Sequence, residues 1–212
     1  CDQWRRGIPA FTAGHGGLRL TARDESGALL SSQQLLAAVA LVELENGGGR
    51  LAVPDEAGAA VELIAAGFDK KVQRLGQDGE EARKIYRSLP WLRDAVFAAV
   101  RLCARMGLTG ERLEQLVSKT PRLVSWKREV PLNRDRGEIM RELAAQVGRN
   151  TLYGTGLRLH SRGGWVYLVP LARRSAVKIV AEGPDLELAA ELCDFYAGQV
   201  AGLDRPNRSQ TK

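Results

Sequence analysis

The sequence predicts an α/β protein: a three-layer α/β domain with a mainly parallel sheet, followed by a smaller α+β domain with an antiparallel sheet and two helices. Three observations carry that prediction. Strand-period and helix-period segments alternate over residues 18–75, the pattern of a parallel sheet with crossover helices. A tight-turn sequence, Ser161-Arg162-Gly163-Gly164, separates two apolar strand segments near the C-terminus. The chain has 212 residues, 44% hydrophobic and 26% charged, enough to bury a core without disulfide or metal staples.

Taken in order, residues 18–22 (Leu-Arg-Leu-Thr-Ala) alternate as a strand does, and Asp24-Glu25-Ser26-Gly27 is a turn. Ser31 or Ser32 is a good N-cap for a helix running to about Glu45, with Leu35, Leu36, Val39 and Val42 on one face. Asn46-Gly47-Gly48-Gly49 ends it, because glycine adopts the left-handed backbone a C-cap needs. Residues 50–53 form a short buried strand. Pro54-Asp55-Glu56 then opens a second helix, with proline in its first turn and acids at the positive end of the dipole. That helix stops at Gly67, and residues 71–75 are a third strand.

A helix over residues 92–106 places Ala95, Val96, Ala99, Val100 and Cys103 inward, and a shorter one covers 110–118. Residues 125–132 are extended and charged, which marks them as the connection between domains. The second domain begins with a helix over 136–147, burying Ile139, Met140, Leu143 and Val147. Strands follow at 156–160, 165–169 and 177–181, and a last helix over 185–202 buries Ala189, Leu192, Tyr196 and Val200. The domains are therefore 1–122 and 135–203, with 123–134 between them and a polar tail, 204–212, expected to be disordered.

Composition excludes several classes of function. No apolar run reaches the roughly 18–20 residues of a membrane-spanning helix. The N-terminus, Cys1-Asp2-Gln3-Trp4-Arg5-Arg6, lacks both an initiator Met and an apolar core, so it does not read as a signal peptide and looks more like a segment of a longer protein. Lys and Arg total 31 against 25 Asp and Glu, a net +6, but the excess is scattered in separate pairs and aromatics are only 6%. That argues against nucleic acid, which asks for a basic stripe or stacking platforms. Cys103 and Cys193 read as small buried hydrophobes in a reducing, cytoplasmic setting, and two histidines are too few for a His-built metal site.

No phosphate-binding glycine loop with Lys-Ser/Thr is present. The adjacent acid pairs Asp24-Glu25, Asp55-Glu56 and Glu80-Glu81 point apart on any regular element and make poor acid/base partners. The informative segment is Pro170-Leu171-Ala172-Arg173-Arg174-Ser175, a basic loop between two strands. Arg173, Arg174 and Ser175, with a helix N-terminus farther along, have the chemistry to grip a phosphate through charge-assisted bonds; a solvated turn is the equal alternative.

This order of elements resembles the third and fourth domains of the α-D-phosphohexomutases, the phosphoglucomutase and phosphomannomutase family. It is most like the mutase modules fused behind nucleotidyltransferases of the mannose-1-phosphate guanylyltransferase type. The residues carrying the resemblance are the Asp24-Glu25-Ser26-Gly27 turn, Leu51-Ala52-Val53-Pro54, and the stretch from Trp165-Val166-Tyr167-Leu168-Val169-Pro170 to Val177-Lys178-Ile179-Val180-Ala181-Glu182-Gly183. The family's Asp-Gly-Asp-x-Asp-Arg metal loop would fall on Gly14-His15-Gly16-Gly17-Leu18-Arg19. There only Arg19 matches, and the metal positions hold Gly14, Gly16 and Leu18. The sugar loop, Gly-Glu-x-Ser-Gly-His in the family, has no counterpart: Gly79-Glu80 continues Glu81-Ala82-Arg83. Of the phosphate loop only Pro170 is kept. The phosphoserine of the family belongs to a domain this chain does not include.

The resemblance implies a chain without catalytic residues, without a metal and without a cofactor. Magnesium would matter only if the parent protein were an active mutase. Its implied partners are a phosphosugar and the N-terminal remainder of the parent chain. Two other readings stand beside it: the phosphate-gripping half of an active mutase, and a basic nucleic-acid module.

Overall fold

The computed structural model describes residues 7–49, 51–76, 80–147, 152–153 and 156–205. Residues 1–6, Arg50, Gly79 and 206–212, on which some expectations fall, lie outside them. The chain divides between Arg122 and Leu123 into two compact units. It is a mixed α/β protein, its described residues forming one parallel strand pair and two antiparallel sheets.

The first unit starts with a three-stranded antiparallel sheet of β1 (Ala10–Ala13), β2 (Leu20–Arg23) and β3 (Leu29–Leu30), in that order. The strand expected near residues 18–22 therefore forms, but its neighbours are β1 and β3 and not the parallel strands downstream. Both neighbours are short and almost free of β-branched residues, which is why the sequence did not announce them. Asp24 builds the β2–β3 turn: its Oδ1 accepts from the N–H groups of Ser26 (2.9 Å) and Ala28 (3.0 Å) and from the Ser26 hydroxyl (2.6 Å).

Helix α1 (Ser32–Glu45) opens with a capping box. The Ser31 hydroxyl accepts from the Gln34 N–H at 3.2 Å, and the Gln34 side chain accepts from the Ser31 N–H at 2.9 Å. The expected single apolar face is an understatement. Leu35, Ala37, Ala38, Val39, Ala40, Leu41, Val42 and Leu44 are all buried, because α1 is the central helix. It touches β2, α2 (Ala60–Gly67), α4 (Ala95–Thr109) and α5 (Leu113–Ser118).

Strands β4 (Leu51–Pro54) and β5 (Val72–Leu75) pair in parallel across α2, the crossover unit the sequence predicted. Its helix begins at Ala60, however, and not at Pro54, which closes β4. The cause is Arg74. Its side chain is 2% exposed and donates to the carbonyls of Pro54 (3.1 Å), Asp55 (3.3 Å), Ala57 and Gly58 (3.3 Å), and it is paired with Glu62. Carbonyls turned toward a buried guanidinium are withdrawn from helical bonding, so residues 55–59 remain a loop.

A further helix, α3 (Glu80–Ser88), was not expected; it places Ile85 against Ala52 and Leu75. Then α4 starts at Asp94, whose carboxylate accepts from the N–H groups of Val96 and Phe97, both at 2.9 Å. Its inward residues are Ala95, Ala98 and Leu102. Val96 and Val100, expected inside, are 59% and 58% exposed, and Cys103 is exposed as well. The helix is apolar on both faces, so periodicity alone could not choose its phase; the Asp94 cap and the neighbouring α1 do. At α5 the N–H groups of Leu113 (2.7 Å) and Glu114 (3.2 Å) donate to the buried Glu25 carboxylate.

The second unit is one antiparallel sheet in the order β6-β10-β9-β8-β7. The strands are β6 (Val124–Pro131), β7 (Leu152–Tyr153), β8 (Gly156–Ser161), β9 (Gly164–Pro170) and β10 (Ala176–Gly183). Helices α6 (Arg136–Val147) and α7 (Leu186–Leu203) pack on one face. The core between them joins Ile139, Leu143, Leu157, Leu168, Ile179 and Leu192, all essentially solvent-free. The β8–β9 hairpin closes through Arg162 (φ +50°) and Gly163 (φ +83°), the left-handed pair that a two-residue turn requires. All four residues expected inside α7 are buried, and Cys193 with them.

Two expectations fail here. Residues 124–131, read as a connection between domains, are the edge strand of this sheet, with Val130 opposite Val177 and Trp126 opposite Ala181. An edge strand is solvated on one side, and that exposure gave β6 the look of a linker. The tail expected from 204 onward is not loose at its start. Asp204 is 6% exposed and accepts from the N–H groups of Asn133 (2.9 Å) and Arg134 (2.8 Å). No helix of the described residues is long and apolar enough to cross a membrane.

Candidate functional site

Two loops hold the residues singled out from the sequence. The first runs between β1 and β2. Gly14 and Arg19 close it, with the Gly14 N–H donating to the Arg19 carbonyl at 2.8 Å; within it Gly17 N–H donates to Gly14 O at 2.9 Å. Gly16 (φ +80°) and Gly17 (φ +68°) take left-handed backbone, so glycine serves the turn itself here. Leu18 points outward, 59% exposed. A magnesium ion needs several oxygens at about 2.1 Å, normally including a carboxylate. Gly14, His15, Gly16, Gly17, Leu18 and Arg19 offer no carboxylate, and the residues do not fit the metal. The acids nearest in sequence are engaged elsewhere, Asp24 in its turn and Glu25 at the start of α5. Among the described residues no cluster of His, Cys, Asp or Glu is arranged to hold a metal.

The second loop joins β9 to β10 and carries Arg173, Arg174 and Ser175, all exposed. Its frame is rigid for its length. Leu171 N–H donates to Ala176 O (2.9 Å), Ala176 N–H to Arg174 O (2.9 Å), and Leu132 N–H to Ser175 O (2.8 Å). The sequence did not single out Arg136, the first residue of α6. Its guanidinium donates to the carbonyls of Leu171 and Ala172 (3.0 Å) and so clasps the loop from below. Arg174 is drawn to Glu129 of β6 at 3.0 Å. Arg173 is exposed and, among the described residues, makes no ion pair.

The helix N-terminus expected to help this loop is not beside it. Strand β10 separates the loop from α7, and its eight residues span roughly 26 Å at 3.3 Å per residue. That N-terminus is also occupied by its own Asp185, which accepts from the Leu188 N–H at 2.8 Å. The groups actually close to the loop are Arg136 and the 132–134 segment tied to Asp204. For Asp204, burial pushes the carboxyl pKa up. The N–H groups of Arg134 and Asn133, the Asn133 amide and the Arg134 charge outweigh burial and hold it below the usual carboxylate range.

The sheet face turned away from α6 and α7 carries a second polar group that sequence reasoning missed. Arg158 and Glu182, 6% and 7% exposed, come within 3.9 Å, and the Arg158 guanidinium lies 5.6 Å from the centre of the Trp165 ring. Period-2 alternation in β8 and β10 puts these residues opposite the core-facing leucines and isoleucine. That was the available signal.

Comparison with known proteins gives the fold a context. No family model matches the sequence, and no curated protein matches it either. Among solved structures, a phosphoglucomutase/phosphomannomutase family protein from Burkholderia thailandensis superposes with a TM-score of 0.72 at 15% identity, over 92% of this chain and 46% of that one. The N-acetylphosphoglucosamine mutase of Aspergillus fumigatus, solved with GlcNAc-6P and magnesium, gives 0.58 at 12% identity, over 96% and 50%. Parafusin, a phosphoglucomutase from Paramecium, gives 0.60 at 12% identity, over 92% and 46%. The chain thus has the fold of the C-terminal mutase domains and spans about half the length of these neighbours.

Proposed function

We propose that this chain is the C-terminal half of a phosphohexomutase-like protein of carbohydrate or sugar-nucleotide metabolism, in the cytoplasm. In this reading it does no mutase chemistry by itself and requires no cofactor. The observation that carries it is the loop from Gly14 to Arg19. The loop keeps a tight turn where the mutases would hold their metal, yet it has no carboxylate to offer a cation. Phosphoryl transfer depends almost wholly on positioning and charge stabilisation. What remains is recognition: an exposed loop with Arg173, Arg174 and Ser175, braced by Arg136, that engages the phosphate of a sugar. The same unit then acts as a binding, regulatory or assembly module, and attachment to a sugar-1-phosphate nucleotidyltransferase is part of this proposal.

Calorimetric titration of the chain with glucose 1-phosphate and mannose 1-phosphate tests it. Arg173→Ala combined with Arg174→Ala should weaken binding at least tenfold, since each charge-assisted bond contributes about 1.5–3 kcal/mol. Isotherms identical for both proteins reject the site.

A second reading is supported by the A. fumigatus neighbour, which was solved with a phosphosugar and magnesium. Here the chain supplies the phosphate grip of an active mutase whose nucleophile and metal loop lie elsewhere in the protein. Magnesium-dependent interconversion of hexose phosphates by the parent protein would establish it. An inactive parent beside an active control mutase excludes it.

A further inference from the structure

Among the described residues strand β6 is paired on one side only, by β10, and its other side has a definite pattern. Leu132 N–H points to β10, donating to Ser175 O, so by the alternation of an antiparallel pair residues 124, 126, 128 and 130 also turn their backbone groups inward. The N–H and C=O groups of Ser125, Lys127 and Glu129, and the C=O of Pro131, therefore face outward. On the helix side a groove of about 310 Å³ runs between β6 and α7, lined by Val130, Pro131, Ala197, Gly198 and Ala201, with the Arg128–Asp194 ion pair at one end. Trp126, at the other end of the strand and on the same side as Val130, is 44% exposed.

We propose that two copies of this chain pair through β6, antiparallel about Arg128, with Trp126 of each copy seated in the β6–α7 groove of the other. Among the antiparallel self-pairings, this register satisfies backbone, charge and shape together. Lys127 falls opposite Glu129 of the second copy, twice by symmetry, in hydrogen-bonded pairs, so that each Glu129 lies between that lysine and the Arg174 of its own chain. Ser125 N–H meets the carbonyl of Pro131, whose missing N–H is at the end of the ladder and costs little. The ladder then holds about six backbone hydrogen bonds. Trp126 falls opposite Val130, the residue that lines the groove, in a close non-hydrogen-bonded pair. The small side chains of Ala197, Gly198 and Ala201 leave room for an indole. The two Arg128 side chains meet at the axis, each already neutralised by its own Asp194. Lysine on an edge strand repels most incoming strands, and the glutamate two residues along makes an antiparallel copy of the same strand the exception.

Sedimentation velocity on the full chain over a wide concentration range tests this. The wild type should show a monomer–dimer equilibrium. Trp126→Ala and Lys127→Glu should each weaken the dimer at least tenfold, with circular dichroism confirming that both variants fold. Made together with Arg174→Ala, because Glu129 also pairs with that arginine, the double exchange Lys127→Glu with Glu129→Lys should return the affinity to within about threefold of the Arg174→Ala protein, since at an exposed site the pair depends on opposite sign and not on which strand position carries which charge. A wild-type chain that is monomeric at every concentration overturns the proposal. So does a dimer indifferent to Trp126→Ala, or one that the double exchange fails to restore.

Discussion

At the scale of single residues, a few buried polar groups do most of the positioning. Asp204 fastens the end of α7 to the turn before α6, and Arg134 completes the tie by donating to the Leu203 carbonyl at 2.7 Å. Because the Asp204 carboxyl is held below its usual pKa in the folded protein, it stabilises the fold fully at pH values above about 4, the unfolded carboxylate value. That contribution disappears as the pH falls through the lower, folded value. Replacing Asp204 by Asn should cost about 1–3 kcal/mol at neutral pH. The cost should shrink toward zero in acid, read from urea denaturation at a series of pH values. Ties of this kind were illegible in the sequence. Asp204 and Asn133 are far apart along the chain, and nothing local marks an aspartate in a polar tail as a cap for a distant turn. Arg74 is a similar case. Nothing local to residues 71–75 marks this arginine as the one that the folded β4–α2 loop encloses.

At the scale of elements, the sequence announced what has a local cause. The cap at Ser31, one of the two serines expected there, the start of α7 after Asp185 and the Arg162-Gly163 turn are each fixed by short-range chemistry, and all three occur where expected. Elements defined by what covers them were read wrongly. Helix α4 has apolar residues on more than one face, so its inward face depends on α1, and β6 was mistaken for a linker because its partner β10 comes some fifty residues later. The phase of α4 can be tested directly. Leu102→Ala should cost about 2–5 kcal/mol of stability, while Val100→Ala, on the outward face, should cost less than about 1 kcal/mol. Thermal unfolding of the two variants checks this; a larger loss for Val100→Ala than for Leu102→Ala would mean that the helix is turned the other way. The candidate loops were only half legible. Their residues can be read from the chain, but Arg136 beneath Leu171 and Ala172, and the separation of the loop from the α7 N-terminus, depend on the assembled sheet.

At the scale of the whole molecule, the described residues of the second unit include an apolar cluster of its own, with members from Val130 to Val200. A protein comprising residues 123–212 should therefore fold by itself and unfold in one cooperative transition, as single domains of this size do. A broad, featureless melt would show that its stability is borrowed from the first unit. The neighbours of known structure are twice as long as this chain, so whatever work is done by their other half has to be supplied from outside these two units or be absent.

The fastening of Asp204 to Asn133 also has a practical consequence. Leu132, adjacent to Asn133, is bonded to Ser175, so the exposed Arg205 lies only a few residues' width from the Arg173–Arg174 corner. With Cys1 and the exposed Cys103 changed to serine, an environment-sensitive dye attached to a cysteine placed at 205 would thus be an optical reporter for anything that occupies that corner.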